Sequence, residues 1–125
     1  MKRYRVLIFA AALCLVLNAC ALVDGSKSKP DVYEGIYSQG IEDSTFEPCG
    51  RSERWLIAAG DTAAVRDFIR RAFDELQQGH YPLYARLRGT LSPKGSIPGF
   101  FVTFDRTLEV TGVLEVRAIQ EGDCQ

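Results

Sequence analysis

The chain has 125 residues, 46% of them hydrophobic, and carries 15 Lys+Arg against 16 Asp+Glu. That length suits one small domain with an accessory segment. The balanced charge, with no dense basic stripe, excludes the electrostatic footprint of a nucleic-acid binder and of a polybasic membrane-surface protein.

The accessory segment comes first. Lys2, Arg3 and Arg5 form a basic start with no acidic residue, and Val6 to Leu17 is an apolar run of twelve. A membrane-crossing helix needs roughly 20 apolar residues, so this run is short for a span. It ends in Leu17-Asn18-Ala19-Cys20, which resembles the lipobox of a bacterial lipoprotein signal peptide. An ordinary secretory signal cleaved nearby is the alternative. The resemblance implies a leader over 1–19, acylation of Cys20, a lipidated N-terminus and flexible tether over 20–30, and one domain over 31–125. Each buried methylene contributes about 0.8 kcal/mol, so the several acyl chains implied for Cys20 would hold the protein on the lipid bilayer without a span. Ala21 rather than Asp follows the cysteine. By the same resemblance this implies an outer-membrane destination, with the domain facing the periplasm.

Loss of the leader removes Lys2, Arg3 and Arg5, which lowers Lys+Arg from 15 to 12 against 16 Asp+Glu, a net charge near −4. It also removes Cys14 and leaves Cys49 and Cys124 as the thiols not assigned to lipid. Beyond the inner membrane the compartment is oxidising, so these two are expected to pair as a disulfide. A loop that long corresponds to roughly 4–5 kcal/mol in the chain-entropy picture. The rival is a metal pair completed by His80, although Cys49, His80 and Cys124 lack close ligand spacing. No cofactor motif is present.

Residues 21–30 read as tether. Val32 to Gln39, rich in Val, Tyr and Ile, predicts a first strand. Ser44 to Cys49, carrying Phe46, predicts a second, and Pro48-Cys49-Gly50 turns the chain. Glu53 to Ala58 predicts a third around Trp55, Leu56 and Ile57. Val65, Phe68, Ile69, Ala72, Phe73 and Leu76 then recur at helical spacing and predict one apolar stripe facing the core. Asp61 or Thr62 is positioned to cap its start, and Gly79 suits a left-handed stop. Arg70 and Arg71 fall on the wet side, with Asp67 and Arg71 spaced as an ion pair.

Tyr81 to Leu91 returns to period two. Leu83, Ala85, Leu87, Gly89 and Leu91 are placed on one face and Tyr84, Arg86, Arg88 and Thr90 on the other. Residues 92–99 predict a loop, and the apolar run at 100–104 a short strand or a cover over the barrel end. Asp105 to Ala118 predicts the last strand, with Leu108, Val110, Leu114, Val116 and Ala118 inward and a bend or bulge at Gly112.

One helix cannot cover both faces of an open five-stranded sheet, whereas a closed barrel plugged by that helix needs no second cover. The order βββαββ, mainly β with one helix, therefore predicts an OB-like five-stranded barrel. A small α+β sandwich is the alternative.

Tyr33-Glu34-Gly35, Ser44-Thr45-Phe46-Glu47-Pro48-Cys49-Gly50, Trp55, Arg86-Leu87-Arg88-Gly89 and the final Cys124, behind a lipobox, resemble small envelope lipoproteins of Gram-negative bacteria. That group is similar to the OB-like C-terminal domain of the copper-homeostasis and adhesion lipoprotein NlpE. The resemblance implies a non-catalytic binding or envelope-sensing module, with a copper-related sensor or carrier as the alternative. The mature chain has no Cys-x-x-Cys, which sets it apart from the metal-linked domain of that lipoprotein.

OB-type barrels bind across their second and third strands. Phe46, Arg54 and Trp55 are the candidates there, with core packing as their bland role. Tyr84, Arg86 and Arg88 are the candidates for an anionic partner, with a solvated strand face as theirs. The partner would be another envelope protein or peptidoglycan. An enzyme is not expected. His80 sits where it can satisfy the helix end, and Glu42-Asp43 lie in a turn; neither has the constellation that catalysis needs.

Overall fold

The computed structural model describes residues 28–41, 43–95, 97 and 103–125. The leader, Cys20, the tether as far as residue 27, Glu42 and residues 100–102 lie outside the described residues.

The elements are β1 (Asp31–Gln39), β2 (Ser44–Pro48), β3 (Trp55–Ile57), α1 (Ala63–Gln77), β4 (Leu83–Leu91) and β5 (Arg106–Ala118). The strands close in the order β1-β2-β3-β5-β4, and β4 returns to β1. All pairs are antiparallel except β3 with β5. This is the OB-like barrel, and the sandwich alternative falls because a closed sheet has no second face to cover.

The barrel is strongly sheared. Partners can be followed from Ser38 to Thr45, Leu56, Thr107 and Ser92. The path then reaches Ser28, whose amide donates to the Leu91 carbonyl at 3.1 Å. The circuit thus re-enters the first segment about ten residues before it began, a stagger that tilts strands steeply to the axis. Ser28, expected in the tether, is instead clasped: its hydroxyl also accepts from the Leu91 amide at 2.8 Å.

Inward residues fill the narrow interior. Phe46, Trp55, Leu83, Ala85, Leu87 and Leu108 are fully buried. Trp55 stacks on Phe46, with ring centroids 5.8 Å apart, and meets the Tyr33 ring edge-on at 5.0 Å. Where strands approach most closely, only glycine fits. A Cβ on Gly35 would strike the Glu47 carbonyl and lie 2.6 Å from the Phe46 ring. A Cβ on Gly89 would strike the Glu109 carbonyl and lie 2.8 Å from Leu108 Cδ1. Both glycines let neighbouring backbone close over the core.

Helix α1 plugs one end. Thr62 caps it, its hydroxyl accepting from the Val65 amide at 3.2 Å. Gly79 follows its end with φ +81°. Val65, Phe68 and Ala72 are buried, and Phe68 meets Tyr37 edge-on at 4.8 Å. The expected single stripe is split, however: Ile69 and Phe73 are 58% and 57% exposed. Six apolar positions cover about 140° of helix arc, at 3.6 residues per turn. The mouth of a five-stranded barrel accommodates one side of that arc, from Phe68 through Ala72 to Val65, and leaves Ile69 and Phe73 on the other side in water.

The last strand also departs from its expected alternation. Its pairing with β4 slips between Arg86 and Leu87 and again between Arg88 and Gly89. Leu87 faces Val113, not Leu114, so Val113 packs against the core. Two one-residue bulges, at Thr111 and Leu114, replace the single irregularity expected at Gly112. Each bulge reverses the inward parity and the pair restores it. Val110 and Val116 therefore keep their expected faces while the residues between them exchange theirs.

Candidate functional site

The outer face of β4 was expected to carry a binding surface of Tyr84, Arg86 and Arg88. The structure places Arg117 of β5, held by the chain's own C-terminal segment, over the Tyr84 end of that face. Cys124 is joined to Cys49 across 75 residues, with Cα atoms 4.7 Å apart. Between β5 and that bridge the chain turns back, and Asp123 accepts two hydrogen bonds from the Arg117 guanidinium, each 2.8 Å. Asp123 also accepts from the Gln120 amide at 2.7 Å.

Arg117, so held, stacks over the Tyr84 ring at 4.1 Å, and its Nε donates to Glu115. Tyr84 is 6% exposed. Burial, with Glu34 and Glu115 nearby, pushes its hydroxyl above the usual tyrosine range. Tyr84 is thus covered by the chain's own Arg117. Of the expected trio, Arg88 is exposed and Arg86 half-buried, lying in register between Glu34 and Glu115. Arg86 Nε is buried with no hydrogen-bond partner among the described residues.

The β2–β3 candidates also separate. Phe46 and Trp55 are core, in keeping with their bland role, so neither presents a ring to solvent. The Trp55 indole N–H donates to Glu53 at 2.7 Å, and Arg106 Nε donates to the same carboxylate at 3.2 Å. These bonds, the indole's foremost, hold the Glu53 carboxyl below its usual range. Arg54 stays outside, over the Phe104 ring at 5.3 Å and 3.7 Å from Glu47.

His80 closes the helix end differently from expectation. Its backbone amide donates to the Glu75 carbonyl at 3.2 Å, but its ring bonds to the Glu75 carboxylate at 2.7 Å rather than to a carbonyl. With both thiols bridged, the expected Cys49, His80 and Cys124 set is left with His80 alone. Among the described residues no group of three or more His, Cys, Asp or Glu gathers. No described helix is long and apolar enough to cross a membrane.

The concave feature lies at the helix-plugged end and was not among the expected site residues. Beyond Thr45 and Leu56, β2 and β3 diverge, and the chain runs through 58–60 into α1. A groove of about 490 Å³ opens between three walls. One is the β1–β2 turn, with Gln39, Gly40, Ile41, Asp43 and Ser44; the second is the 56–60 segment; the third is Val65, Phe68 and Ile69 of α1. Tyr37 and Phe68, both buried, form a rigid floor. The Tyr37 hydroxyl lies 3.3 Å from Ser44 Oγ, and burial raises its pKa, which keeps it neutral. The groove continues over Ile69, Ala72 and Phe73 into a smaller hollow of about 180 Å³. Ile41, at the tip of the turn, is fully exposed.

A mostly apolar concavity of this size with a few polar groups is the usual form of a small-ligand site. The sequence signal for it was the width of the helix stripe, wider than a small barrel can bury. The turn and 56–60 walls have no periodicity that would reveal them.

No family model, curated protein or solved structure matches the chain. Of the resemblance drawn from the motifs, the structure shows the OB-like five-stranded barrel.

Proposed function

We propose that this chain is an acylated envelope lipoprotein whose OB-like domain binds a ligand, without catalysis, in the groove at the helix end of the barrel. The observation that carries the binding role is the apolar groove of about 490 Å³ beside the exposed Ile41, Ile69 and Phe73. Large apolar side chains kept in water at the rim of a concavity mark a surface that something else covers. The anchor is supported by the basic start, the twelve-residue apolar run and Leu17-Asn18-Ala19-Cys20. An outer-membrane address facing the periplasm follows from Ala21 in the same pattern. An envelope protein or a peptidoglycan fragment are the partners this location offers.

Two measurements test the two halves. Cells fed a clickable palmitate analogue are expected to label the chain and to keep it in the membrane fraction, and Cys20→Ala is expected to abolish both. Persistent labelling in Cys20→Ala would end the lipoprotein reading. For the groove, the full mature chain in lipid nanodiscs is photolabelled with a neutral diazirine-bearing decanol. Labels are expected on peptides spanning Ile41 and Ile69, and Ile69→Glu is expected to remove most of them. Labelling spread evenly over the barrel would end the groove reading.

A further inference from the structure

We infer that the groove selects an apolar ligand bearing a single cationic head, an alkylammonium-type amphiphile, and that Asp43 is the residue that reads the charge. This inference rests on the groove being the ligand site.

The lining decides the sign. Among the described lining residues Asp43 is the one formally charged side chain, and no Lys, Arg or His is among them. Tyr37, the other titratable group there, is kept neutral by burial. Asp43 is half-buried, and among the described residues no hydrogen bond or ion pair reaches its carboxylate. This sets it apart from the described aspartates of the neighbouring helix region. Asp61, at the start of α1, is taken by Arg66 at 2.6 Å, and Asp67 and Asp74 are engaged by Arg70.

The turn fixes where that carboxylate stands. The Gly40 amide donates to the Asp43 carbonyl at 2.8 Å, and Asp43 Oδ1 lies 2.5 Å from where a Gly40 Cβ would be. The carboxylate is therefore folded over Gly40, itself a lining residue, at the mouth of an apolar channel. A partly desolvated, unpaired carboxylate attracts a cation more strongly than one in open water and repels an anion equally. An ammonium head on an alkyl body would satisfy Asp43 at the rim and place its apolar part against Leu56, Ile57, Val65 and Ile69. A fatty carboxylate of the same length would meet like charge. A free alkylamine and the N-terminal amine of an apolar peptide share this chemistry.

The test uses the full mature chain in nanodiscs and three diazirine probes of one length: decylammonium, decanol and decanoate. Bilayer partitioning is common to wild type and variant, so their ratio isolates the carboxylate. Decylammonium is expected to label the groove peptides about fivefold over decanol, and decanoate to fall below decanol by a similar factor. Asp43→Asn is expected to bring the ammonium-to-decanol ratio to about one, with circular dichroism confirming the fold. Equal labelling by all three probes in wild type overturns the charge selection and leaves the groove reading standing. No groove labelling by any probe overturns both. Competition by Leu-Leu-Leu-amide but not by its N-acetyl form would assign the cation to a peptide terminus. Competition by neither, with decylammonium still preferred, would assign it to a free amine.

Discussion

The outer face of β4 and β5 and the helix end of the barrel began as opposites and exchanged roles. On the strand face the sequence shows Tyr84, Arg86 and Arg88, polar and accessible in pattern, yet Arg117, held by the C-terminal segment, covers Tyr84 and leaves only Arg88 of the three exposed. There the disulfide, the Arg117–Asp123 pair and the Arg117–Tyr84 stack form one continuous seal. At the helix end the sequence shows core-type residues, yet Ile69 and Phe73 stand in water beside an apolar groove. Charge marked the side that the chain closes on itself, and apolarity marked the side left open. In a barrel this narrow, side-chain type is a poor guide to which surface is free; what matters is how much interior exists to receive the apolar residues.

The largest expected effect separates the two regions by stability. Cys124→Ser should lower the unfolding free energy by about 2–4 kcal/mol, read from urea titration of the oxidised protein. It should also speed hydrogen exchange in β4 around Tyr84 while leaving the helix end unchanged. Equal acceleration at both ends would show that the tail is not a local seal.

A second measurement sharpens the electrostatic part of that seal. Arg117's two bonds, then that of the Gln120 amide, hold the Asp123 carboxyl at about 2, below its ordinary value of about 3.9. The folded state therefore binds fewer protons than the unfolded chain through that interval. The stabilisation is complete above about pH 4 and is lost as pH falls towards 2. Glu53, lowered by the Trp55 indole bond, contributes in the same direction. Urea midpoints at pH 5, 3 and 2 should fall less steeply for Asp123→Asn than for wild type. Parallel slopes would remove Asp123 from the account.

The smallest expected effect belongs to the open end. Phe73→Ala should change stability by no more than about 0.5 kcal/mol, as for an exposed position, in contrast to the 3–5 kcal/mol typical of a buried phenylalanine. A loss of about 3 kcal/mol would mean that Phe73 is core and that the helix end is not free.

How legible each part was follows from the range of its determinants. The order of elements, the Thr62 cap and the alternation along β4 are set by neighbours within a few positions, and they read directly from the residues. The paired bulges in β5 left the pattern at Val110 and Val116 intact, so period counting passes over them and misplaces Leu114. The burial of Tyr84 depends on a contact with Arg117, more than thirty positions later, and nothing local to Tyr84 signals it. The groove depends on how β2, β3 and α1 part company, which is tertiary throughout. The cysteine pairing was accessible because it rested on compartment and elimination rather than on geometry.

The clasp of Ser28 on Leu91 has a directional consequence. It fastens the incoming polypeptide at the foot of the barrel, whereas the turn bearing Ile41 and Asp43 crowns the opposite rim. A protein moored from its N-terminal side would therefore carry its concavity like an upturned cup, aimed away from the mooring. Whatever enters would arrive from the aqueous side rather than rise out of the lipid.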